Sequence, residues 1–387
     1  MRCLLGVASV SVSLATGFPR ISSLSVFGAP SDPKVEESVN PAAVIEFEKS
    51  LRELNEAAAT ARASADDDEE CPPRRIVLDS NEIIQVPETR NFAGSDSSIF
   101  VSSDQAHVVK TVDLEGEAAN FALDGLNKDK AFMKIFDGTN VIPHMHAIAP
   151  GSISPSCDAR TLVADFAGFH PLGDLAAIRD RRVRMRQVAL AAARMLEIIQ
   201  VVHSKGFVHG DIHPGNFVFS DPRNVAKTLR LIDFGRAEPY INNKWRHVAE
   251  GSLTDAPAGL ELDYLSPWEI LGKRKSRRDD LFRIAESLLR LGSCDTAFTA
   301  AINDQVRRIK ALIAGSGENA VDQPEFRNSM IDLNLNRPFL TSIEDPVAGT
   351  PESFIQFYRY VVNLRYDEHP QYAVYAGTFR AFSGLIH

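Results

Sequence analysis

The most informative part of this 387-residue chain is HGDIHPGNFVFSDPRNVAKTLRLIDFGRAEPY, residues 209–240. Asp211 and Asn216 lie five residues apart on one predicted loop, and Asp233 directly follows LRLI, a short apolar run typical of a buried strand. A hairpin between the loop and the LRLI strand would bring the side chains of Asp211, Asn216 and Asp233 together. Because carboxylate and amide oxygens are the ligands that Mg²⁺ prefers, the pattern predicts a magnesium site at Asn216 and Asp233, with Asp211 beside it.

These side chains suit phosphoryl transfer, which requires little covalent chemistry from a protein. A carboxylate orients the acceptor hydroxyl, magnesium bridges the phosphate oxygens, and a cation neutralises them. We therefore expect Asp211 to act as the catalytic base, while Asn216 and Asp233 hold Mg²⁺. The alternative is a polar turn with a solvated Asp and Asn. Together, the two segments resemble the catalytic loop and the DFG motif of protein kinases.

Lys110 is the candidate cation, because it lies within HVVKTV, a predicted strand with apolar neighbours. A lysine there is costly unless its charge has partners, and phosphate oxygens together with a helix carboxylate would provide them. We expect that carboxylate to be Glu117, which precedes Phe121 by one turn in a helix that buries Phe121. Glu115 is the second choice, and a surface lysine in loose contact with solvent is the alternative.

The expected nucleotide site departs from the kinase pattern in its glycine loop. Kinases usually carry three glycines in GxGxxGxV, whereas this chain reads FAGSDSSIF with Gly94 alone. Backbone amides after Gly94 would still reach phosphate, although the close approach that further glycines permit is lost. The segment TLVADFAGFHPLGDL, residues 161–175, resembles a kinase hinge. The backbone of Asp165 to Ala167 is then expected to bind the adenine of ATP, with Ala164 leaving an open pocket behind it.

The kinase resemblance is most specific to the casein kinase I group. DIHPGNFVF and LIDFGRAEPY are similar to that group's catalytic loop and LIDFG segment, and SRRDDL at 276–281 adds to the match. The stretch at 352–382 resembles the group's closing helices. The resemblance implies an α+β, bilobal kinase fold with a β-rich N-lobe and a larger helical C-lobe. It also implies that Asp280 holds the catalytic loop and that Glu269 pairs with Arg365.

Residues around the catalytic loop depart from the kinase pattern or suggest another chemistry. His203, His209 and His213 invite a metal-site interpretation, but no carboxylate or thiol stands at ligand spacing beside them, and His209 is expected to pack the loop. His213 replaces the lysine that steadies the γ-phosphate in Ser/Thr kinases, so its help should be weaker and pH dependent. Gly210 replaces an arginine that clasps a phosphorylated activation segment in many kinases, so we expect no switch of that kind.

The chain is expected to divide into three parts. Residues 1–17 resemble a signal peptide, and residues 18–73 form an extension with one amphipathic helix and an acidic linker. That extension is either regulatory or simply packed on the main domain. The kinase domain is expected at 74–387, with its N-lobe at about 74–167 and its C-lobe at about 168–387. The β-type runs RRIVL, SSIFV and HVVKTV predict a small antiparallel sheet in the N-lobe.

Composition describes an ordinary globular protein, 44% hydrophobic and 24% charged. The net charge is −9, of which the run at 66–70 supplies −5. No segment is both strongly basic and interleaved with aromatics, and no apolar run is long enough for a transmembrane helix, so neither nucleic acid nor a membrane span is expected. Three of the four cysteines would remain after signal removal and form no CxxC pair, which allows at most one disulfide and argues against a zinc site.

These patterns predict an ATP- and magnesium-dependent kinase that phosphorylates Ser or Thr in a protein. HGDIHPGNF also resembles HGDLHPGN of the aminoglycoside and choline phosphotransferases, so a small-molecule phosphotransferase is one alternative. A pseudokinase that binds or scaffolds is another, motivated by Gly94 and His213. The signal-like N-terminus favours the secretory pathway or secretion, with an organelle or the cytoplasm as alternatives.

Basic residues near the activation segment bear on the choice of substrate. Cations at 273–278, together with Lys244, Arg246 and His247, suggest an acidic or already phosphorylated protein substrate. A solvated basic turn that leads into a helix is the simpler explanation, because exposed pairs contribute little individually.

Overall fold

The computed structural model describes residues 41–63, 71–93, 97–113, 119–242, 246–251, 265–270, 273–292 and 350–386. All of them belong to one unit, Val39–His387. The predicted signal peptide and the acidic run lie outside the described residues. Among the described helices, none combines the length and hydropathy that crossing a bilayer would require.

The secondary structure is mixed, with short strands first and most of the helices later. The strands are β1 (Arg75–Val77), β2 (Ile83–Gln85), β3 (Phe92–Ala93), β4 (Ser98–Val101), β5 (His107–Thr111), β6 (Met145–His146), β7 (Thr161–Asp165), β8 (His170–Pro171), β9 (Phe207–Val208), β10 (Phe217–Phe219), β11 (Arg230–Leu231) and β12 (Glu238–Pro239). The helices are α1 (Pro41–Ala63), α2 (Ala119–Ile135), α3 (Pro155–Ala159), α4 (Arg181–Ser204), α5 (Val225–Thr228), α6 (Pro267–Ile270), α7 (Arg277–Gly292), α8 (Glu352–Val362) and α9 (Tyr372–Leu385), with a 3-10 helix at Leu172–Ala177.

A five-stranded antiparallel sheet, in the order β3-β4-β5-β7-β6, forms the N-terminal part of the domain. The strands predicted at SSIFV, HVVKTV and TLVADF are confirmed as β4, β5 and β7. The prediction that RRIVL joins the same sheet was wrong, because β1 pairs with β2 in a separate two-stranded sheet. Ile76 of β1 instead packs with Val109 and Val163 of the larger sheet, so the two sheets meet through side chains.

The expected helix after β5 is α2, but it presents a different face to the sheet. Ala122, Leu123 and Leu126 are buried, which is the spacing of one helical face. Phe121 lies off that face and its side chain is 51% exposed, so the prediction that Phe121 is buried was wrong. The Arg236 guanidinium lies 5.4 Å from the centre of the Phe121 ring.

The helical part of the domain is built around α4, the helix predicted most clearly from the sequence. Its side chains Val188, Leu196 and Ile199 are fully buried, and α7 and α9 pack against it. The Asp180 carboxylate caps its N-terminus by accepting hydrogen bonds from the backbone N–H groups of Arg182 and Val183. The bilobal mixture of sheet and helix therefore agrees with the predicted fold class.

The extension helix predicted from Pro41 is observed as α1, and it packs on the domain against α2 and α3. The Phe47 ring lies edge-on to the rings of Phe132 in α2 and Phe207 in β9, with centroids 6.4 Å and 5.0 Å apart. Beyond α1, a disulfide joins Cys71 to Cys157 of α3. Residues on both sides of the acidic linker are therefore fastened to the domain.

We predict that Phe47→Ala lowers the free energy of unfolding by about 3 to 5 kcal/mol, because truncation leaves a cavity beside the rings of Phe132 and Phe207. Ile45→Ala is the matched control on the same helix: its side chain is 59% exposed, so the expected change is within about 0.5 kcal/mol. Urea unfolding followed by circular dichroism measures both. Equal losses in the two variants would show that α1 does not pack as described.

Candidate active site

The hairpin of β10 and β11 brings Asn216 and Asp233 together. Phe217 pairs with Leu231, and the backbone N–H of Ile232 donates to the Asn216 carbonyl, 3.0 Å away. Asp233 has a φ of +64°, in the left-handed region that costs a non-glycine residue about 1–2 kcal/mol. The hairpin expected from the sequence is therefore present, and it delivers Asp233 at its end.

Lys110 of β5 contacts two carboxylates. Its Nζ lies 2.6 Å from Oδ2 of Asp129 and 3.2 Å from Oδ1 of Asp233. Burial by itself would lower the pKa of Lys110, but the two carboxylates outweigh that effect and raise the pKa well above its ordinary value. The charge of Lys110 in turn holds the pKa of Asp233 below its usual range. A lysine cation and the Asp233 carboxylate therefore face each other in the cleft.

The helix carboxylate that contacts Lys110 is Asp129, whereas Glu115 and Glu117 lie outside the described residues. The Asp129 side chain is only 5% exposed, and its second oxygen accepts a hydrogen bond from the backbone N–H of Phe234. Sequence reasoning missed this residue. The sequence did carry a signal for it, because Asp129 follows Leu126 by three residues and so lies on the same, buried face of α2.

The Phe234 ring joins the Asp233 loop to its surroundings. It stacks on Phe132 of α2, with centroids 4.2 Å apart, and lies edge-on to His209 at 4.9 Å. The His209 Nε2–H donates to the Ile232 carbonyl at 3.1 Å. His209 therefore packs the loop, as expected. These ring contacts and the Asp129 hydrogen bond fix the position of Asp233.

The Asp211 carboxylate lies between two arginines. Its Oδ1 is 3.4 Å from Nη1 of Arg283, and its Oδ2 is 3.6 Å from Nε of Arg236. The Asn216 side-chain amide donates to the Asp211 carbonyl at 2.9 Å. No hydrogen bond among the described residues uses Oδ1 of Asn216, so this oxygen and the Asp233 carboxylate provide the kind of donor set that Mg²⁺ takes.

The ion pair expected between Glu269 and Arg365 is wrong. The Arg365 side chain is 80% exposed and lies near Glu368. Glu269 pairs with Arg283 of α7 instead, at 2.6 Å, and both side chains are almost completely buried. Arg283 follows Asp280 by three residues on the same helix, so one helical face supports both Glu269 and the catalytic loop. Arg283 is a second residue that sequence reasoning missed.

Asp280 of α7 holds the catalytic loop, as expected. Its two oxygens accept hydrogen bonds from the backbone N–H groups of His209 and Gly210, at 2.8 Å and 2.9 Å. Asp280 also pairs with His203 Nε2 at 2.9 Å, while His203 Nδ1 contacts the Tyr372 hydroxyl. Burial lowers the pKa of both His203 and His209, so both rings are neutral groups with protein partners.

The remaining loop positions show how the sequence departures are accommodated. Gly210 has a φ of +74°, and a Cβ there would lie 2.8 Å from the Lys275 Nζ, so an arginine would be strained in this backbone. The His213 Nδ1 accepts a hydrogen bond from the Gly215 N–H at 3.1 Å. Gly94 lies outside the described residues. At Gly210, Lys275 therefore occupies the space into which a side chain would point.

The predicted hinge follows β7 directly. The backbone N–H of Asp165 donates to the His144 carbonyl and that of Phe166 to the Ala106 carbonyl, both at 2.8 Å. Among the described residues, no partner uses the N–H of Ala167. The N–H groups of Asp165 and Phe166 are therefore already used, and that of Ala167 is left for a ligand. The side chain of Ala164, within β7, is buried.

Comparisons with known proteins agree with this geometry. The family model of the protein kinase domain matches residues 95–347, and the chain therefore belongs to the protein kinase family. Among curated proteins it is similar to the casein kinase I homolog 2 of Schizosaccharomyces pombe, with 31% identity over 214 residues. The match covers 55% of this chain and 44% of that relative, so less than half of the relative's length is represented. The predicted kinase fold and casein kinase I likeness are confirmed.

We predict that Asp129→Ala lowers phosphate transfer by about 10²-fold, because Lys110 and the Asp233 loop lose the group that positions them. Asp124→Ala is the matched control, since Asp124 lies on the same helix but its one ion-pair partner in the described part of the chain is Lys128, at the surface. Transfer from Mg-ATP is measured for both, with melting curves to verify folding. Full activity in a folded Asp129→Ala protein would contradict the assignment.

Proposed function

We propose that this chain is an active, ATP-dependent protein kinase that phosphorylates Ser and Thr hydroxyls. The observation that carries the proposal is the contact of Lys110 with both Asp129 and Asp233, beside an Asp211 that two arginines hold in place. Phosphoryl transfer depends mainly on positioning and charge, and this arrangement supplies both. Similarity to the casein kinase I homolog supports the Ser/Thr specificity.

Each group has a role in the proposed reaction. The N–H of Ala167 binds adenine, and Lys110 contacts the phosphate oxygens. Asn216 Oδ1 and the Asp233 carboxylate would hold Mg²⁺, which neutralises charge on the phosphates. Asp211 orients the acceptor hydroxyl and accepts its proton, while Arg283 and Arg236 fix the orientation of its carboxylate.

The two alternatives are weaker. A pseudokinase would not need Lys110, Asp211, Asn216 and Asp233, yet all four are present. Hydrogen bonds join them in two pairs, Lys110 with Asp233 and Asn216 with Asp211. A small-molecule phosphotransferase is disfavoured because the family match and the relative are both those of protein kinases. His213 and the single Gly94 remain the features that favour reduced turnover.

The proposed substrate is an acidic or already phosphorylated protein segment. Lys275 supports this class, because its Nζ lies against Gly210, next to Asp211, and none of the described carboxylates contacts it. Arg277 and Arg278 are no longer candidates for binding an acidic substrate, since both are buried. Arg277 donates to the Asp367 carbonyl, and Arg278 pairs with Glu250. The basic segment therefore divides into Lys275, which lies beside Gly210, and two arginines that are held by protein partners.

We predict that Asp211→Ala lowers turnover by about 10² to 10⁴, the usual contribution of a positioned base, with Mg-ATP binding nearly unchanged. Asp221→Ala is the control, because Asp221 lies in the same hairpin but, among the described residues, its side chain accepts hydrogen bonds only from Arg223 and Asn224. The assay measures radioactive phosphate transfer to peptides that differ in acceptor (Ser, Thr or Tyr) and in acidic or neutral neighbours, at low and high salt.

Each outcome of this assay is informative. Transfer to Ser or Thr that requires Asp211 supports the proposal, and an acidic preference that fades with salt supports the substrate class. Nucleotide binding without any transfer by the wild type would establish the pseudokinase instead. Equal turnover on acidic and neutral peptides at low salt would contradict only the substrate class.

A further inference from the structure

Three neighbouring strands bring two histidines and one carboxylate together away from the active site. His107 of β5 stands opposite Asp165 of β7, and His146 lies on β6, which also pairs with β7. One ligand atom from each side chain lies within 4.8 Å of the others. Side chains alternate along a strand, so His107 lies on the opposite face of β5 from Lys110. The cluster is therefore separate from the phosphate-binding side of the sheet.

His107 is buried with its hydrogen-bonding capacity unmet. Its side chain is 5% exposed, and its Nδ1 has no partner among the described residues. The nearest carboxylate to Nε2 is that of Glu82, 3.7 Å away, which is too long for a hydrogen bond. A neutral imidazole has one donor and one acceptor nitrogen, and leaving them unpaired in the interior is costly. Such a group calls for a bound ion or an ordered water.

The neighbours of His107 match a metal ligand set. His146 Nε2 lies 2.7 Å from Asp165 Oδ1, and the rings of His107 and His146 meet edge to face at 4.9 Å. Two imidazoles and one carboxylate are a set that zinc takes when it keeps a fourth position open. Ligand atoms on zinc lie about 3.3 Å apart, so His146 and Asp165 would separate by about 0.6 Å. The ligand atom of His107 lies within 4.8 Å of theirs and would move closer by up to about 1.5 Å.

A second triad that shares His107 fits less well. It would use Glu82 and Asp104. Oδ1 of Asp104 already accepts hydrogen bonds from the Ser102 hydroxyl and the Ala106 N–H, which shape the turn before β5. Within the described part of the chain, the side chains of His146 and Asp165 form hydrogen bonds only with each other, so ligation by them disrupts no turn. Exposure also rises from His107 through His146 to Asp165, which gives an ion a route inward.

We propose that His107, His146 and Asp165 form a zinc site with an open fourth position on the outer face of the N-lobe sheet. A bound zinc ion would tie together β5, β6 and β7. Asp165 is the last residue of β7, so the ion would also fix the start of the hinge. The site differs from that of the proposed Mg²⁺, which rests on oxygen ligands, whereas imidazole ligands favour zinc over magnesium.

The test is zinc titration of the full chain after chelator treatment, by calorimetry in the presence of excess magnesium. We expect the wild type to bind one zinc ion, and His146→Ala and Asp165→Asn each to weaken binding at least about tenfold. His170→Ala is the control, because His170 forms a similar but exposed pair with Asp174 elsewhere. X-ray absorption at the zinc edge should show two imidazole ligands in the wild type and in His170→Ala, but not in His146→Ala.

Thermal melting separates ligation from folding. Zinc should raise the melting temperature of the wild type and of His170→Ala, but not that of the His146→Ala, Asp165→Asn double variant, because an ion stabilises only the state that binds it. Absence of zinc binding by the wild type would overturn the proposal. Equal zinc affinity in the wild type and the double variant would overturn it too.

Discussion

The carboxylate of Asp129 is the interaction on which the cleft depends. One oxygen contacts Lys110 of β5 and the other accepts the N–H of Phe234, so a single side chain of α2 joins the sheet, the helix and the Asp233 loop. An aspartate side chain is one methylene shorter than a glutamate side chain, so α2 must lie close to the Asp233 loop for Asp129 to reach the N–H of Phe234. The helix and the loop are indeed close, because a Cβ on Gly235 would lie only 3.3 Å from the Cα of Gly125 in α2. Removing one partner of such a buried pair leaves an uncompensated charge, which typically costs 3–5 kcal/mol.

Helix α7 supports the other side of the cleft in a similar way. Asp280 binds the backbone of the catalytic loop, and Arg283, one turn later, lies between Asp211 and Glu269. Arg283 is 1% exposed, so its charge is compensated by these carboxylates and not by water. Behind α2, helix α1 places Phe47 against Phe132, and Phe132 stacks on Phe234. The extension helix is thus connected to the Asp233 loop through two aromatic contacts.

The sequence predicted what local patterns encode. The loop and hairpin around Asp211, Asn216 and Asp233, the strand that carries Lys110, and helices α1 and α4 all follow from periodicity or short spacing. Asp129 and Arg283 were missed because their partners are distant along the chain. Phe121 was placed on the buried face of α2, whereas Ala122, Leu123 and Leu126 form that face. Roles in catalysis, the domain boundaries and a secretory location stay predictions.

The most direct test of the account is a double-mutant cycle on the pair that joins strand and helix. The free energy of unfolding is measured for the wild type, Lys110→Ala, Asp129→Ala and the double variant. If the two side chains stabilise each other as described, the double variant loses less than the sum of the single variants, with a coupling free energy of about 0.5–3 kcal/mol. Additive losses, within about 0.5 kcal/mol, would show that Asp129 does not act through Lys110 and would contradict the central role assigned to it.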